Sequence, residues 1–94
     1  MPLLQISIVP VGTSTASFSS SVSKAVQIID RKGLNYQVTP TSTVIEGELG
    51  QLMEVAEEIH KSVINQADRI ITNITIDDRT DKKINMNNQV EIVK

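Results

Sequence analysis

The chain has 94 residues, 39% of them hydrophobic and 21% charged, which is typical of one folded soluble domain rather than of a disordered chain. It has no cysteine and one histidine, which excludes a disulfide framework, a thiolate nucleophile and a metal site built on cysteine or several histidines. The net charge of −2 disfavours nucleic acid as a partner, and no apolar run approaches the roughly 18 residues of a membrane span. The apolar start of the chain has no preceding Lys or Arg, unlike a signal peptide, so we expect a cytoplasmic protein.

Two periodicities organise the first half of the chain. Residues 3–9 alternate apolar and polar side chains, which predicts a β-strand. Residues 18–32 place apolar side chains at helical spacing, which predicts a helix with Ser17 or Ser19 as its N-cap. Gly33 follows at the position where a helix end favours positive φ.

The second half repeats the pattern of strand and helix. Residues 35–39 and 42–46 predict two short strands, with a bend at Pro40, which has no N–H to donate to a neighbouring strand. A second helix is predicted from an apolar face of Leu49, Leu52, Met53, Ala56, Ile59 and Val63. Residues 69–77 predict a fourth strand, and about 79–94 form a C-terminal extension with a turn and then a short helix or strand.

The order β-α-β-β-α-β predicts a single α+β domain over residues 1–94, a ferredoxin-like sandwich with two helices on one face of a four-stranded antiparallel sheet. In the first and fourth strands the predicted helix-facing residues are Leu4, Ile6, Ile8, Ile70, Ile74 and Ile76. The opposite, open face would hold Leu3, Gln5, Ser7, Val9, Ile71, Asn73, Thr75 and Asp77. Because these are mostly neutral, we expect this face to be partly buried against another subunit or around a small polar ligand. An ordinary exposed sheet face is the alternative.

Four segments together resemble one protein family. They are Pro10-Val11-Gly12, Gly33-Leu34-x-Tyr36, Thr43-Val44-Ile45-Glu46-Gly47-Glu48, and Ile76-Asp77-Asp78-Arg79-x-Asp81-Lys82. With these segments the chain resembles the small, stand-alone thiamine-binding (YkoF-like) proteins. The resemblance implies a ferredoxin-like fold, homotetramers built as dimers of dimers, and non-catalytic binding of thiamine or its hydroxymethylpyrimidine moiety. The chain departs from the family at Thr41, where Met is frequent, and at Ala67, where Gly is frequent.

Thiamine has a cationic thiazolium and an aminopyrimidine that both donates and accepts hydrogen bonds. A carboxylate could neutralise the thiazolium or accept a hydrogen bond from the amine of the pyrimidine. An aromatic side chain could stack on either ring of thiamine, and hydroxyls and amides could fix the orientation of the ligand. The candidate ligand-binding residues are Ser7, Tyr36, Thr43, Glu46, Asn73 and Asp77. Each has a structural alternative. Glu46 could be a helix-dipole charge, Thr43 a β-branched strand former, and Tyr36 a core ring. Ser7 and Asn73 could form hydrogen bonds at a subunit interface, and Asp77 could belong to a turn network or an intersubunit salt bridge. We expect no metal, no catalytic residue and no cofactor other than thiamine as the ligand.

Other function classes fit the sequence less well. An RNA-recognition domain needs aromatic side chains on the open sheet face, and this chain has one Phe and one Tyr. An acylphosphatase-like enzyme needs an Arg in the first loop, and residues 1–23 contain none. The main alternative is an oligomeric structural or regulatory module with no affinity for thiamine. The Ser/Thr-rich segment before the first helix lacks the glycines and lysine of a phosphate-binding loop, so thiamine pyrophosphate should bind little better than thiamine.

Overall fold

The computed structural model describes residues 1–11 and 18–81, with side chains described except at 18 and 19. The elements are β1 (Leu3–Pro10), α1 (Phe18–Lys32), β2 (Asn35–Val38), β3 (Thr43–Glu46), α2 (Leu49–Ile64) and β4 (Ile70–Asp77). The four strands form an antiparallel sheet in the order β2-β3-β1-β4, and both helices pack on one face of it. The predicted α+β ferredoxin-like fold is confirmed.

The strand register confirms the predicted division of β1 and β4 into two faces. Leu4 lies opposite Ile76, and Ile6 lies opposite Ile74, on the side that the helices cover. The buried cluster between the sheet and the helices consists of Leu4, Ile6, Ile8, Ala25, Ile28, Ile29, Ile45, Leu52, Val55, Ala56, Ile59 and Val63. One continuous core therefore holds both helices against β1 and β3, with Tyr36 of β2 and Ile70 of β4 packed at its margin.

The end of α1 has the predicted glycine cap. Gly33 adopts φ +72°, its N–H donates to the Asp30 carbonyl at 3.0 Å, and the Leu34 N–H donates to the Ile29 carbonyl at 3.3 Å. This pair of hydrogen bonds satisfies two of the carbonyls that a helix end leaves without partners. At the other end, the predicted N-cap Ser17 lies outside the described residues. Ser19 lies inside α1, because the helix begins at Phe18.

The rotation of α2 about its own axis differs from the prediction. Leu49 and Met53 are 47% and 48% exposed, although both were assigned to the buried face. Val55, which was not assigned to it, is 1% exposed. The apolar stripe of α2 is wider than the surface that the sheet and α1 can cover, so spacing alone does not decide which of its margins is buried.

The connection between β2 and β3 is a closed turn. The Thr39 N–H donates to the Ser42 carbonyl at 2.8 Å, and the Thr39 hydroxyl accepts from the Ser42 N–H at 3.1 Å. These bonds end β2 at Val38 and start β3 at Thr43, so each strand is one residue shorter than predicted. The predicted bend at Pro40 is observed. Of the predicted C-terminal extension, residues 82–94 lie outside the described residues.

Candidate functional site

A small cavity lies between the first half of α1, the middle of β1 and the start of β3. We call it the hydroxyl cavity; it is lined by Ser7, Ser21, Thr41, Ser42 and Thr43 together with Ile6, Ile8, Val22, Ala25 and Ile59. Its interior measures about 20 Å³, and the space including its open mouth measures about 320 Å³. The interior has room for a group of about the size of a water molecule. The larger volume is at the low end for small-molecule clefts, so only the edge of a larger ligand would enter fully.

Thr43 is the most informative residue of this cavity. It is the first residue of β3 and lies opposite Ile6 of β1, which directs both side chains toward the helices. Thr43 is 4% exposed and borders the cavity together with Ser42. A hydroxyl in the wall of a cavity can donate a hydrogen bond to a polar group that enters it, or accept one from that group.

Two further buried hydroxyl residues, Ser21 and Ser42, belong to the cavity and were missed by the sequence reasoning. Ser21 comes from α1 and is 5% exposed, and the Ser42 and Thr39 hydroxyl oxygens lie 3.2 Å apart. A usable signal was present, because the Ser/Thr-rich start of α1 and the Thr41-Ser42-Thr43 run are the two hydroxyl-rich segments of the chain. Thr41, one of the two positions at which the chain departs from the family pattern, also lines the cavity.

The predicted acidic residues lie on the other side of the sheet. Glu46 of β3 and Asp77 of β4 flank Leu3 of β1, one on each side, on the open face. The Glu46 carboxylate accepts from the Asn35 amide at 3.3 Å. Asn73 is also on this face, opposite Ser7. These three predicted site residues share one face, but the sheet itself separates them from the hydroxyl cavity.

Ser7 contributes to both surfaces. The alternation of β1 assigns its side chain to the open face, and the residue also borders the hydroxyl cavity. Of the six predicted site residues, the structure therefore brings Ser7 and Thr43 together at the cavity. It groups Ser7 with Glu46, Asn73 and Asp77 on the open face.

Tyr36 belongs to neither group. It lies half-buried on the helix side of β2, packed against the core. Desolvation raises the pKa of the Tyr36 phenol above its ordinary value, and the charge of Asp30 and a hydrogen bond to it raise the pKa further. Its ring and hydroxyl thus already have partners within the chain, which favours the structural interpretation of this residue.

Among residues 1–11 and 18–81, no three His, Asp or Glu side chains lie close enough to hold a metal ion. No helix in those ranges is both long and apolar enough to cross a membrane. The single histidine, His60, has its Nδ1 atom 2.8 Å from the Thr72 hydroxyl, between α2 and β4.

Comparison with known proteins supports one assignment. The chain is 38% identical to the UPF0045 protein YqgV of Bacillus subtilis, over 99% of this chain and 94% of that one. It superposes on the crystal structure of the hypothetical protein MJ1052 from Methanocaldococcus jannaschii with a TM-score of 0.87 and 27% identity, over 98% and 94% of the two chains.

A Thermotoga maritima protein provisionally assigned to thiamine biosynthesis or salvage has the same fold, with a TM-score of 0.82 and 22% identity over 99% and 98% of the chains. The sequence model of the family described as "thiamine-binding protein" matches residues 4–94. The chain therefore belongs to the thiamine-binding protein family.

Proposed function

We propose that this protein binds thiamine or its hydroxymethylpyrimidine moiety without catalysing a reaction, and that one edge of the aminopyrimidine ring enters the hydroxyl cavity. Membership of the family supports the choice of ligand. The observation that carries the location is the set of three buried hydroxyl residues, Ser21, Ser42 and Thr43, that line this one cavity.

The chemistry of the cavity matches that of the ring. An aminopyrimidine presents an amine that donates and ring nitrogens that accept, and a hydroxyl can serve either role by rotating about its C–O bond. The hydroxyls of Thr43 and its neighbours therefore suit such an edge, while Ile6 and Ile8 supply the apolar contact that the ring and its methyl group need.

The positively charged thiazolium ring needs a negatively charged group that the hydroxyl cavity does not supply. No Asp or Glu of the described ranges borders the cavity, and Glu46 and Asp77 face the opposite side of the sheet. In the proposed homotetramer, a dimer of dimers, these carboxylates would approach a ligand held by a neighbouring subunit. Asn73, together with the exposed Val9 and Ile71, gives the open face the mixed polar and apolar character of a subunit contact. The proposal includes a cytoplasmic location, as expected from the sequence.

Titration calorimetry of the purified protein with thiamine tests the function. Hydroxymethylpyrimidine and thiamine pyrophosphate serve as comparison ligands. We expect saturable binding of thiamine and of hydroxymethylpyrimidine, with the pyrophosphate binding little more tightly than thiamine. Light scattering on the same sample should give the mass of a tetramer, and a monomer mass at micromolar concentration would contradict the assembly.

The second candidate is an oligomeric or regulatory module with no affinity for thiamine. The small interior of the hydroxyl cavity, about 20 Å³, is the observation that favours it. An oligomer that is folded, but that gives no heat and no thermal stabilisation with any of the three ligands, would replace the thiamine proposal with this one.

A further inference from the structure

The turn between β2 and β3 forms part of the wall of the hydroxyl cavity. Ser42, the last residue of this turn, is 7% exposed and lines the cavity. Thr39, at the start of the turn, does not line the cavity, but its hydroxyl oxygen makes three contacts with Ser42. It lies 2.9 Å from the Ser42 carbonyl oxygen, 3.1 Å from the Ser42 backbone nitrogen and 3.2 Å from the Ser42 hydroxyl oxygen. Together these three contacts fix the direction of each hydrogen bond.

The direction follows from the count of protons and lone pairs. A threonine hydroxyl has one proton and two lone pairs, and a carbonyl oxygen can only accept. The 2.9 Å contact is therefore a hydrogen bond in which Thr39 donates its one proton to the Ser42 carbonyl. The Ser42 N–H occupies one lone pair of the Thr39 hydroxyl. In the 3.2 Å contact between the two hydroxyls, Ser42 must then be the donor, and it occupies the second lone pair.

The hydroxyl of Ser42 consequently has no proton left for a group in the cavity. A hydroxyl in water can donate or accept by rotating about its C–O bond, but rotation of Ser42 would break its bond to Thr39. The Thr39 hydroxyl is partly buried, so the loss of a donor there would not be fully compensated by solvent. Ser42 therefore offers lone pairs to the cavity, and this part of the wall accepts hydrogen bonds without donating them.

The direction of this hydroxyl matters because the cavity has no charge to dominate recognition. No Asp, Glu, Lys or Arg of residues 1–11 and 18–81 borders it. An uncharged ligand edge is then selected by whether its donors meet acceptors and its acceptors meet donors. A site whose buried polar groups are left unpaired by a ligand discriminates against that ligand more strongly than a site that differs by one methylene group.

We propose that Thr39 is a positioning residue that makes Ser42 a fixed hydrogen-bond acceptor, so that the cavity selects rings with an amine over rings with a carbonyl oxygen at the same place. An amine donates to the lone pairs of Ser42, whereas a carbonyl oxygen would place one acceptor against another. This inference rests on the proposed binding of an aminopyrimidine edge in the same cavity. It adds the chemical class that the site accepts and a residue outside the cavity that determines it.

Calorimetric titration with two matched ligands tests the selection. One is hydroxymethylpyrimidine, and the other is its deaminated analogue, in which a carbonyl oxygen replaces the amine. The unaltered protein should bind the amine about tenfold or more tightly than the analogue. Thr39→Val releases the Ser42 proton, which can then be donated to a carbonyl oxygen, so the two affinities should come to within about twofold of each other. Thr39→Ser keeps the hydroxyl and should keep the preference.

The ratio of the two affinities is the informative quantity, because a loosened turn would weaken both ligands alike. Ser42→Ala is a second variant that keeps the backbone hydrogen bond from the Thr39 N–H to the carbonyl of residue 42. It should weaken the amine ligand and leave the analogue nearly unchanged, and it tests the same acceptor if Thr39→Val does not fold. Equal affinities in the unaltered protein, or a ratio that neither Thr39→Val nor Ser42→Ala changes, would overturn the proposal.

Neutron diffraction from ligand-free crystals of the deuterated protein tests the hydroxyl directions without any ligand. The Thr39 deuteron should point to the Ser42 carbonyl, and the Ser42 deuteron should point to the Thr39 hydroxyl oxygen. A Ser42 deuteron directed into the cavity would overturn the inference even if both ligands bind. If neither ligand binds, the proposed function fails and the ligand preference fails with it, whereas the deuteron positions still decide whether Thr39 fixes Ser42.

Discussion

Thr43 of β3 lies directly opposite Ile6 of β1, and both residues line the hydroxyl cavity. This pairing places a buried hydroxyl beside an aliphatic side chain, on the side of the sheet where α1 contributes Ser21. Glu46, three residues along the same short strand, faces the opposite side. A ligand that enters the cavity would therefore contact Thr43 but not Glu46 of the same chain.

Thr43→Val should weaken the binding of hydroxymethylpyrimidine by about tenfold, because it removes one hydrogen-bonding group and preserves the shape of the side chain. The free energy of unfolding should change by no more than about 1 kcal/mol, since the net contribution of one hydroxyl hydrogen bond to stability is of that order. Calorimetry and urea unfolding measure the two quantities. Thr43→Ser keeps the hydroxyl, and Thr75→Val alters an exposed threonine of the open face, so both should bind normally. Unchanged affinity in Thr43→Val would remove the cavity from the site.

Glu46→Gln should weaken the binding of thiamine but not of hydroxymethylpyrimidine, because only thiamine has the cationic thiazolium. The glutamine keeps a carbonyl oxygen that can accept from the Asn35 amide, so the structure should not change. Glu57→Gln removes the same charge from an exposed position of α2 and is the matched control. Calorimetry with both ligands gives the comparison. If the two ligands respond alike, or neither responds, Glu46 does not contact the thiazolium.

Gly33→Ala should destabilise the protein by roughly 1–2 kcal/mol, although no atom lies within 4 Å of the added Cβ. The cost comes from the backbone, because Gly33 adopts φ +72° at the end of α1. Gly50→Ala is the opposite case: Gly50 is helical, it also has open space around its Cβ position, and alanine there should stabilise the protein by about 0.5–1 kcal/mol. Urea unfolding of the two variants should shift the midpoint in opposite directions. A shift in the same direction would contradict this account.

The order of the elements and the faces of β1 and β4 could be predicted because periods of two and 3.6 residues are local properties of the sequence. The cap at Gly33 could be predicted for the same reason. The rotation of α2 could not, because Leu49, Met53 and Val55 are equally apolar and only packing against the sheet selects among them.

The candidate site was only partly predictable. The alternation within β3 already separates Thr43 from Glu46, so the predicted residues could not all share one pocket of one chain. The meeting of Ser21 with Ser42 and Thr43 depends on how α1 sits over the sheet. That is a tertiary property, which neither periodicity nor a short motif encodes.

Leu52→Ala should destabilise the protein by about 2–5 kcal/mol, because Leu52 is 0% exposed in the core and its truncation leaves a cavity. Leu49→Ala makes the same chemical change one turn earlier in α2, at a residue that is 47% exposed, and should cost less than about 1 kcal/mol. Urea unfolding distinguishes the two variants. Similar losses for both would mean that α2 is rotated relative to the orientation described above.

Ionisation of Tyr36 should make the free energy of unfolding depend on pH under alkaline conditions. Its pKa in the folded chain is raised above the ordinary 10.0 by desolvation and then by Asp30. The folded chain thus holds the phenol proton more tightly than the unfolded chain. The contribution of Tyr36 to stability is therefore constant below pH 10.0 and falls as the pH rises through the folded-state pKa.

Urea unfolding of the unaltered protein and of Tyr36→Phe, compared from pH 8 to above pH 10, measures this effect as a difference between the two proteins. Lysine titration contributes equally to both and cancels. Because Tyr36 is the one tyrosine of the chain, the ultraviolet absorbance of tyrosinate also reports its ionisation directly. A stability difference that does not change with pH, or a phenol that titrates at its ordinary value, would show that Asp30 and the core do not shield this side chain.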